Sequence, residues 1–228
     1  MFEGFSTGAS DFLWGVRFNN DRSWFMEHKG EYTSLVYQPL KALAQEVFQQ
    51  FQQDNPDLDL ELHISRIYRD ARRVYNKGPY KDHLWFSFRK PHTDMSTEQP
   101  VFWFELRPDG YAYGVGLWQA KPFTMGCYRE EIDEHPERLL RLAKKLEKRP
   151  EFILDAREYK RPKGNPQPPL DAWYNRKGFS ICASFGWDDV VESRQLVENL
   201  EEAYRFLRPF YDYFSEICDI SHIKQIQM

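Results

Sequence analysis

Alternation of apolar and polar residues in the first half of the chain constrains its fold more than any other feature. Apolar residues recur at every second position in 58–64, 84–88 and 102–106. This period of two is typical of strands that bury one face. Asp109-Gly110 supplies the residues of a tight turn, after which 111–118 returns as a hairpin partner. The sequence therefore predicts at least four consecutive strands in an antiparallel sheet. We expect its buried face to include Leu62, Ile64, Phe86, Phe102, Phe104 and Leu106.

Helical patterns flank the predicted strands. Capping residues indicate two short helices within 9–28, and apolar residues three and four positions apart predict a helix over 32–51 that Pro39 kinks or restarts. Pro136 suits the first turn of a later helix, and the apolar series in 190–214 predicts a long terminal helix. Helices, strands and helices in this order indicate an α+β fold rather than alternating βαβ units.

The length and the N-terminal sequence bound the organisation of the chain. The 228 residues fit a single α+β domain that spans 1–228. The N-terminus lacks a basic stretch followed by an apolar one, and no apolar run reaches the length of a membrane helix. The sequence therefore predicts a cytoplasmic protein with no membrane association.

The cysteines, histidines and glycines show no complete motif for a cofactor or a metal. Cys127, Cys182 and Cys218 are widely separated, and the six histidines lack the spacing of metal ligands. We therefore expect reduced thiols, no metal site and no cofactor. Gly114 and Gly116 have no third glycine of a nucleotide-binding loop. They are interpreted as positions where a neighbouring backbone or aromatic ring approaches a strand closely.

The densest basic charge lies between Arg66 and Lys90. Eight basic residues accompany two acids there, a local charge of +6, whereas the whole chain has a formal charge of −4. A local basic segment in an acidic chain is a candidate anion site, because arginine and lysine side chains match phosphate and carboxylate groups. Tyrosine hydroxyls can add hydrogen bonds. The candidate ligand-binding residues are Arg66, Tyr68, Arg69, Arg72, Lys77, Tyr80 and Lys81.

The position of the basic segment relative to the first strand leads to a structural hypothesis. If that strand continues in register beyond residue 64, Arg66, Tyr68 and Asp70 share its apolar face. A buried charge requires a partner. Arg66 and Asp70 would then form an internal ion pair or the floor of a wet cleft. Asp70 is expected to hold Arg66 or Arg69 in place.

Three functions remain open from the residues alone. The first is binding of a small phosphorylated or carboxylated molecule in the basic cleft. The second is an enzyme of phosphate or acyl chemistry, with Asp70 as base or orienting residue. The third is a module that binds nucleic acid or an acidic protein, which the pI near 5.9 disfavours for nucleic acid. A structural reading is also open, in which the cations pair with acids such as Glu130, Glu131 and Asp133.

Six segments resemble, in order, the motifs of a bacterial and fungal family catalogued as domain of unknown function 2461. They lie at 19–25, 66–70, 77–81, 114–118, 128–132 and 160–164. The resemblance implies one α+β domain and supplies no activity, cofactor or partner. In the segment that usually reads Arg-Phe-Ser-Lys-Asp-Lys-Thr-Pro-Tyr-Lys, this chain has Tyr75 in place of a lysine and Asn76 in place of an aspartate. The resemblance therefore supports no role that requires that cation or that carboxylate.

Overall fold

The chain has the predicted α+β fold. The computed structural model describes residues 1–70, 72, 78–91, 99–117 and 119–227. These residues form a six-stranded antiparallel sheet with helices at both ends of the sequence. None of the helices in these ranges is long and apolar enough to cross a membrane.

The first part of the chain is helical. The elements are α1 (Thr7–Phe18), α2 (Arg22–Glu27), α3 (Lys29–Glu31), a π-helical segment (Tyr32–Tyr37) and α4 (Gln38–Asp54). The two short helices predicted within 9–28 are α1 and α2. Pro39 lies in the first turn of α4, where its missing N–H needs no intrahelical partner. The helix predicted over 32–51 is thus restarted at this proline, and the π-helical segment precedes the restart.

The four predicted strands are present, and two more follow them. The elements continue with β1 (Glu61–Ile64), β2 (Leu84–Arg89), β3 (Val101–Arg107), β4 (Gly110–Gly116), α5 (Pro122–Glu134), α6 (Pro136–Leu146), β5 (Ile153–Leu154), α7 (Leu170–Tyr174), β6 (Ser180–Gly186) and α8 (Gln195–Ile226). The strand order is β1-β2-β3-β4-β6-β5. Pairing of β5 with β6 is antiparallel, with Ile153 opposite Cys182. A strand of two residues carries no periodic signal, which explains why β5 could not be predicted.

Burial on the sheet follows the predicted alternation except at its edge. Phe86, Phe102, Phe104 and Leu106 have no exposed surface. Leu62 and Ile64 are only half-buried, so the prediction that these two residues are buried is wrong. The reason is their position, because β1 is the first strand of the sheet and has a neighbour on one side only.

Contacts within the chain group it into two compact units. The first unit consists of Met1–Phe88, Trp103–Tyr113 and Ser184–Ala203, and the second contains the remaining segments, Arg89–Phe102, Gly114–Ala183 and Tyr204–Met228. Each unit therefore draws on segments that are distant in sequence. The single-domain interpretation of 1–228 stays a prediction.

Aromatic side chains form the core of the first unit. The ring of Phe86 lies 5.3 Å from that of Phe104, which in turn stacks on Phe5 at 6.5 Å. Phe48 and Phe51 of α4 both contact Phe88 of β2, at 4.9 and 5.0 Å between ring centroids. These contacts fix α4 against β2, since each buried aromatic ring removes a large apolar area from water.

The second unit is built around the C-terminal part of α8. Phe179 stacks on Phe214 at 4.7 Å and meets the edge of Tyr128 at 4.8 Å. Arg138 of α6 donates hydrogen bonds to Glu131 and to Glu216. The apolar contacts and this bridging arginine hold α5, α6 and α8 together.

The two glycines of β4 are positions of close approach, as predicted. A Cβ atom at Gly114 would lie 2.2 Å from the carbonyl oxygen of Ile181, and one at Gly116 would lie 2.2 Å from that of Phe179. Both distances are far below van der Waals contact, and the obstructing atoms belong to the backbone. Only glycine allows the neighbouring strand to approach this closely.

Replacing Gly114 with alanine is expected to lower the free energy of unfolding by about 1–3 kcal/mol, because the backbone of β6 must shift to admit the methyl group. Gly126 in α5 is the matched control, since a Cβ there meets nothing within 4 Å. Gly126→Ala is expected to raise stability by about 0.5–1 kcal/mol through helix propensity. Urea unfolding of the two variants measures both effects. Equal stability of Gly114→Ala and the wild type would contradict the packing argument.

Candidate functional site

The centre of the basic segment is a short hairpin. Residues 67–69 pair with residues 79–81, and we call this pair the 67–81 hairpin. Two backbone hydrogen bonds of 2.8 and 2.7 Å, donated by the amides of Arg69 and Lys81, join its two sides. Lys77, one of the candidate ligand-binding residues, lies outside the described residues. The pairing places Arg69 and Lys81 on adjacent strands despite their separation in sequence.

The hairpin has two faces with different chemistry. Tyr68 and Tyr80 lie directly opposite each other, and both pack against Phe25 of α2, at 5.9 and 4.1 Å between ring centroids. Successive side chains of a strand point to opposite faces. Arg69 and Lys81 therefore lie on the face turned away from the tyrosines. The candidate tyrosines and the candidate cations do not converge on one surface.

The register expected for the first strand does not persist through the basic segment. Arg66, Tyr68 and Asp70 are exposed, whereas Ile67 between them is 1% exposed. The alternation changes phase at Ser65, whose buried hydroxyl accepts a hydrogen bond of 3.0 Å from the backbone of β2. The expected internal pair between Arg66 and Asp70 is therefore absent, because neither side chain enters the core.

A side chain from the helical region fixes the hairpin. The Asn20 amide nitrogen donates to the carbonyl oxygen of Tyr80 at 2.9 Å, and its amide oxygen accepts from the Tyr80 backbone N–H at 2.9 Å. A Cβ atom at Gly78 would lie 2.3 Å from the same amide oxygen. Asp21 next to it caps α2 by accepting from the amides of Ser23 and Trp24. The cap was predictable, but the partner of Asn20 is 60 residues away and leaves no local signal.

An ion-pair network borders the cationic face of the hairpin. Asp82 accepts a hydrogen bond of 2.6 Å from Arg17 and contacts the His83 ring at 3.0 Å. Burial opposes ionisation of Asp82, but the hydrogen bonds from Arg17 and His83 outweigh it and lower its pKa. Arg69 donates through Nε to the Tyr80 carbonyl at 2.8 Å, and its terminal nitrogen lies 3.9 Å from Asp82. The Tyr80 carbonyl thereby orients the guanidinium of Arg69, whose contact with the Asp82 carboxylate is long.

Lys81 is a half-buried cation in an electropositive environment. Its ammonium lies 5.7 Å from the centroid of the Trp85 ring. Burial and the positive charge of Arg69 together lower the pKa of Lys81 to about 8, and Glu105 offsets these effects only in part. Among the residues that the structure describes, no carboxylate lies within ion-pair distance of this ammonium.

The remaining candidates are solvent-exposed. Arg72 donates to the Asp70 carboxylate at 2.7 Å through its terminal nitrogen and at 3.0 Å through its backbone amide. Asp70 thus binds Arg72 rather than Arg66 or Arg69, since a neighbour two positions along the chain reaches it without a turn. An exposed pair of this kind contributes little to stability. Arg66 is exposed on the outside of the segment.

Three acids considered as partners of the basic segment bind other groups. Each has a partner within the second unit: Glu130 binds Lys224, Glu131 binds Arg138, and Asp133 accepts from Tyr174. The ion pairs of the hairpin are formed instead by acids close to it in sequence, Asp70 and Asp82.

The described part of the chain contains no candidate metal site, and its cysteines are buried. No group of three or more histidine, cysteine, aspartate or glutamate side chains is placed to hold a metal ion there. Cys127, Cys182 and Cys218 are buried thiols. Burial raises the pKa of Cys218 to about 12, so it is protonated at neutral pH and is a poor nucleophile.

Comparison with protein families gives a match over most of the chain. A family model described as conserved hypothetical protein (DUF2461) matches residues 8–213. No curated protein matches the chain. The matched range contains the 67–81 hairpin, Asn20 and the cations discussed above.

Loss of the Asn20 side chain is expected to weaken the hairpin. In Asn20→Ala both backbone groups of Tyr80 lose a partner in a partly buried position, so the free energy of unfolding should fall by about 1–3 kcal/mol. Asn19→Ala is the matched control, because Asn19 makes one exposed side-chain bond, to Gly15 at 3.2 Å. We expect it to change stability by less than about 0.5 kcal/mol. Denaturant unfolding of both variants checks this. A similar loss in the two variants would argue against a special role of Asn20.

Proposed function

We propose that this chain, which belongs to the DUF2461 family of conserved hypothetical proteins, binds a small anion through Arg69 and Lys81. The ligand class is a molecule with a phosphate, sulfate or carboxylate group. The site is the cationic face of the 67–81 hairpin, opposite the face on which Tyr68 and Tyr80 pack. The proposal narrows the candidate residues of the basic segment to those on one surface.

The observation that supports the proposal most strongly is the state of Lys81. Its ammonium is half-buried, and burial together with the positive charge of Arg69 lowers its pKa to about 8, which Glu105 offsets only in part. Burying a cation beside another cation costs free energy unless an anion compensates it. A bound oxyanion would accept charge-assisted hydrogen bonds from both side chains and remove this cost.

The neighbouring residues have supporting roles in this site. The Tyr80 carbonyl holds Nε of Arg69, so the guanidinium is oriented before a ligand arrives. Trp85 supplies an apolar wall beside the ammonium. Arg17 and His83 engage Asp82, which limits its competition with the anion for Arg69.

Binding without chemistry is the function that we propose. The enzymatic alternative depends on Asp70, and that carboxylate is exposed and engaged by Arg72. This geometry favours a role in orienting Arg72 over a role as a general base. We also propose a cytoplasmic location, which is supported by the three buried thiols.

Replacing Lys81 with methionine tests the site. Methionine keeps the apolar stem beside Trp85 and removes the charge. We expect the affinity for sulfate to fall by about 1.5–3 kcal/mol, the value of a charge-assisted hydrogen bond, as measured by isothermal titration calorimetry. Stability at pH 7 should stay the same or rise, because the buried cation is no longer present.

The matched control is Lys29→Met, which removes the same charge from an exposed position of the same unit. Sulfate affinity of this variant should stay within about twofold of the wild type, because an exposed charge is strongly screened by salt. A structural role for Lys81 predicts the opposite pattern, with reduced melting temperature and unchanged sulfate affinity, and that result would disprove the proposal.

The pH dependence of binding gives an independent test. Sulfate keeps its charge over the range in which lysines titrate, roughly pH 6 to pH 10 in proteins. A change in sulfate affinity over this range therefore reports on titration of the protein. Lys81 must be protonated to bind, and its pKa in the unliganded protein is about 8. Affinity should therefore be constant below pH 8 and fall above it, and Lys81→Met should abolish this dependence. A decline that begins only near the ordinary lysine pKa of about 10.4 would contradict the assignment to Lys81.

A further inference from the structure

Three cations surround one tyrosine in the second unit. The ammonium of Lys163 lies 5.0 Å, that of Lys177 5.6 Å and the guanidinium carbon of Arg129 5.7 Å from the centroid of the Tyr159 ring. We call these four residues the Tyr159 cluster. Attraction to the ring favours each cation separately. The cations also repel one another, so the ring alone does not account for all three.

Arg129 has unused hydrogen-bonding capacity in this cluster. Its Nη1 atom is buried and, among the residues that the structure describes, has no hydrogen-bond partner. An unsatisfied buried donor on a charged group is costly and calls for a physical explanation.

Two acids near the Tyr159 cluster in sequence are engaged by other side chains. Asp133, one helical turn after Arg129 in α5, accepts a hydrogen bond from Tyr174 at 3.0 Å. Glu158, which precedes Tyr159, pairs with Arg176 at 3.1 Å. In the described part of the chain, neither carboxylate forms an ion pair with Arg129.

The cluster is held by a backbone framework rather than by mobile side chains alone. The side-chain oxygen of Asn175 accepts from the amide of Lys163 at 2.7 Å, and its side-chain nitrogen donates to the carbonyl of Gly164 at 3.2 Å. The amide of Tyr159 donates to the carbonyl of Asn175 at 2.9 Å. These bonds fix the backbone from which Tyr159 and Lys163 project, so little ordering remains for a ligand to impose.

We propose that the Tyr159 cluster binds the phosphoryl group of a small phosphorylated molecule. Two lysine ammonium groups and one arginine fork match a group with up to two negative charges and three acceptor oxygens. The ammonium groups of Lys163 and Lys177 and the guanidinium of Arg129 would donate to these oxygens. This site uses none of the residues of the 67–81 hairpin, and the inference is independent of the function proposed for it.

The experiment is a titration with inorganic phosphate, followed by amide chemical shifts in two-dimensional NMR at constant ionic strength. It is carried out on wild-type protein and on Lys81→Met, so that the hairpin site and the Tyr159 cluster are assessed separately. We expect saturable shifts of the Lys163 and Lys177 amides in both proteins. Arg129→Gln should weaken phosphate binding about tenfold or more, because one charge-assisted donor is lost.

Lys160→Gln is the matched control, since it removes an exposed cation adjacent to Tyr159. It should leave phosphate affinity within about twofold, because Lys160, among the described residues, is not one of the cations that approach the Tyr159 ring. If Arg129→Gln does not retain the wild-type spectrum, Lys163→Gln replaces it, since Lys163 is exposed and its loss leaves the core intact. Shifts that do not saturate, or equal weakening by Lys160→Gln and by the cluster variant, would overturn the proposal. Loss of the shifts only in Lys81→Met would assign the binding to the hairpin and would also overturn it.

Discussion

The paired hydrogen bonds between the Asn20 side chain and the backbone of Tyr80 set the geometry on which the hairpin depends. They fix Tyr80 at 2.9 Å on both its amide and its carbonyl, and Gly78 leaves room for the amide of Asn20. Tyr80 then faces Phe25, and the alternation of side chains turns Lys81 to the opposite side. This polar contact thus helps to place Tyr80 against Phe25 and Lys81 on the opposite face of the hairpin.

Each proposed site contains a half-buried cation, Lys81 or Arg129, for which the described part of the chain provides no ion pair. Other charged side chains of the described residues pair with an opposite charge at the surface, as Lys224 does with Glu130. Lys81 and Arg129 differ, since the first has a pKa lowered to about 8 and the second has a buried nitrogen with no hydrogen-bond partner among the described residues. Exposed pairs contribute little, but a desolvated charge is costly unless compensated. This difference between exposed and desolvated charges is the reason why we propose anion binding at these two positions and not at every lysine.

The strands, helices and much of the core were predictable because they depend on local periodicity. Alternation located Phe86 and Phe104 on a buried face, and the position of Pro39 predicted a helix that is kinked or restarted there. Leu62 and Ile64 show the limit of this reasoning, because alternation reports which face is apolar and not how many neighbours a strand has. β6 lies beside β4 although α5, α6, β5 and α7 separate them in sequence, and no local pattern specifies that insertion.

For the candidate site, too, some features follow from the local sequence and others depend on tertiary contacts. The sequence by itself determined that basic residues concentrate around Arg69 and Lys81 and that the fold is α+β, because charge and periodicity are properties of the chain. Only the tertiary structure decided that the tyrosines lie on the opposite face from these cations, and that Arg129 meets Tyr159 in the second unit. The physical reason is that burial and unpaired charge depend on contacts between distant segments. The free energy of a cation depends on the water and carboxylates that the fold removes from it or brings to it.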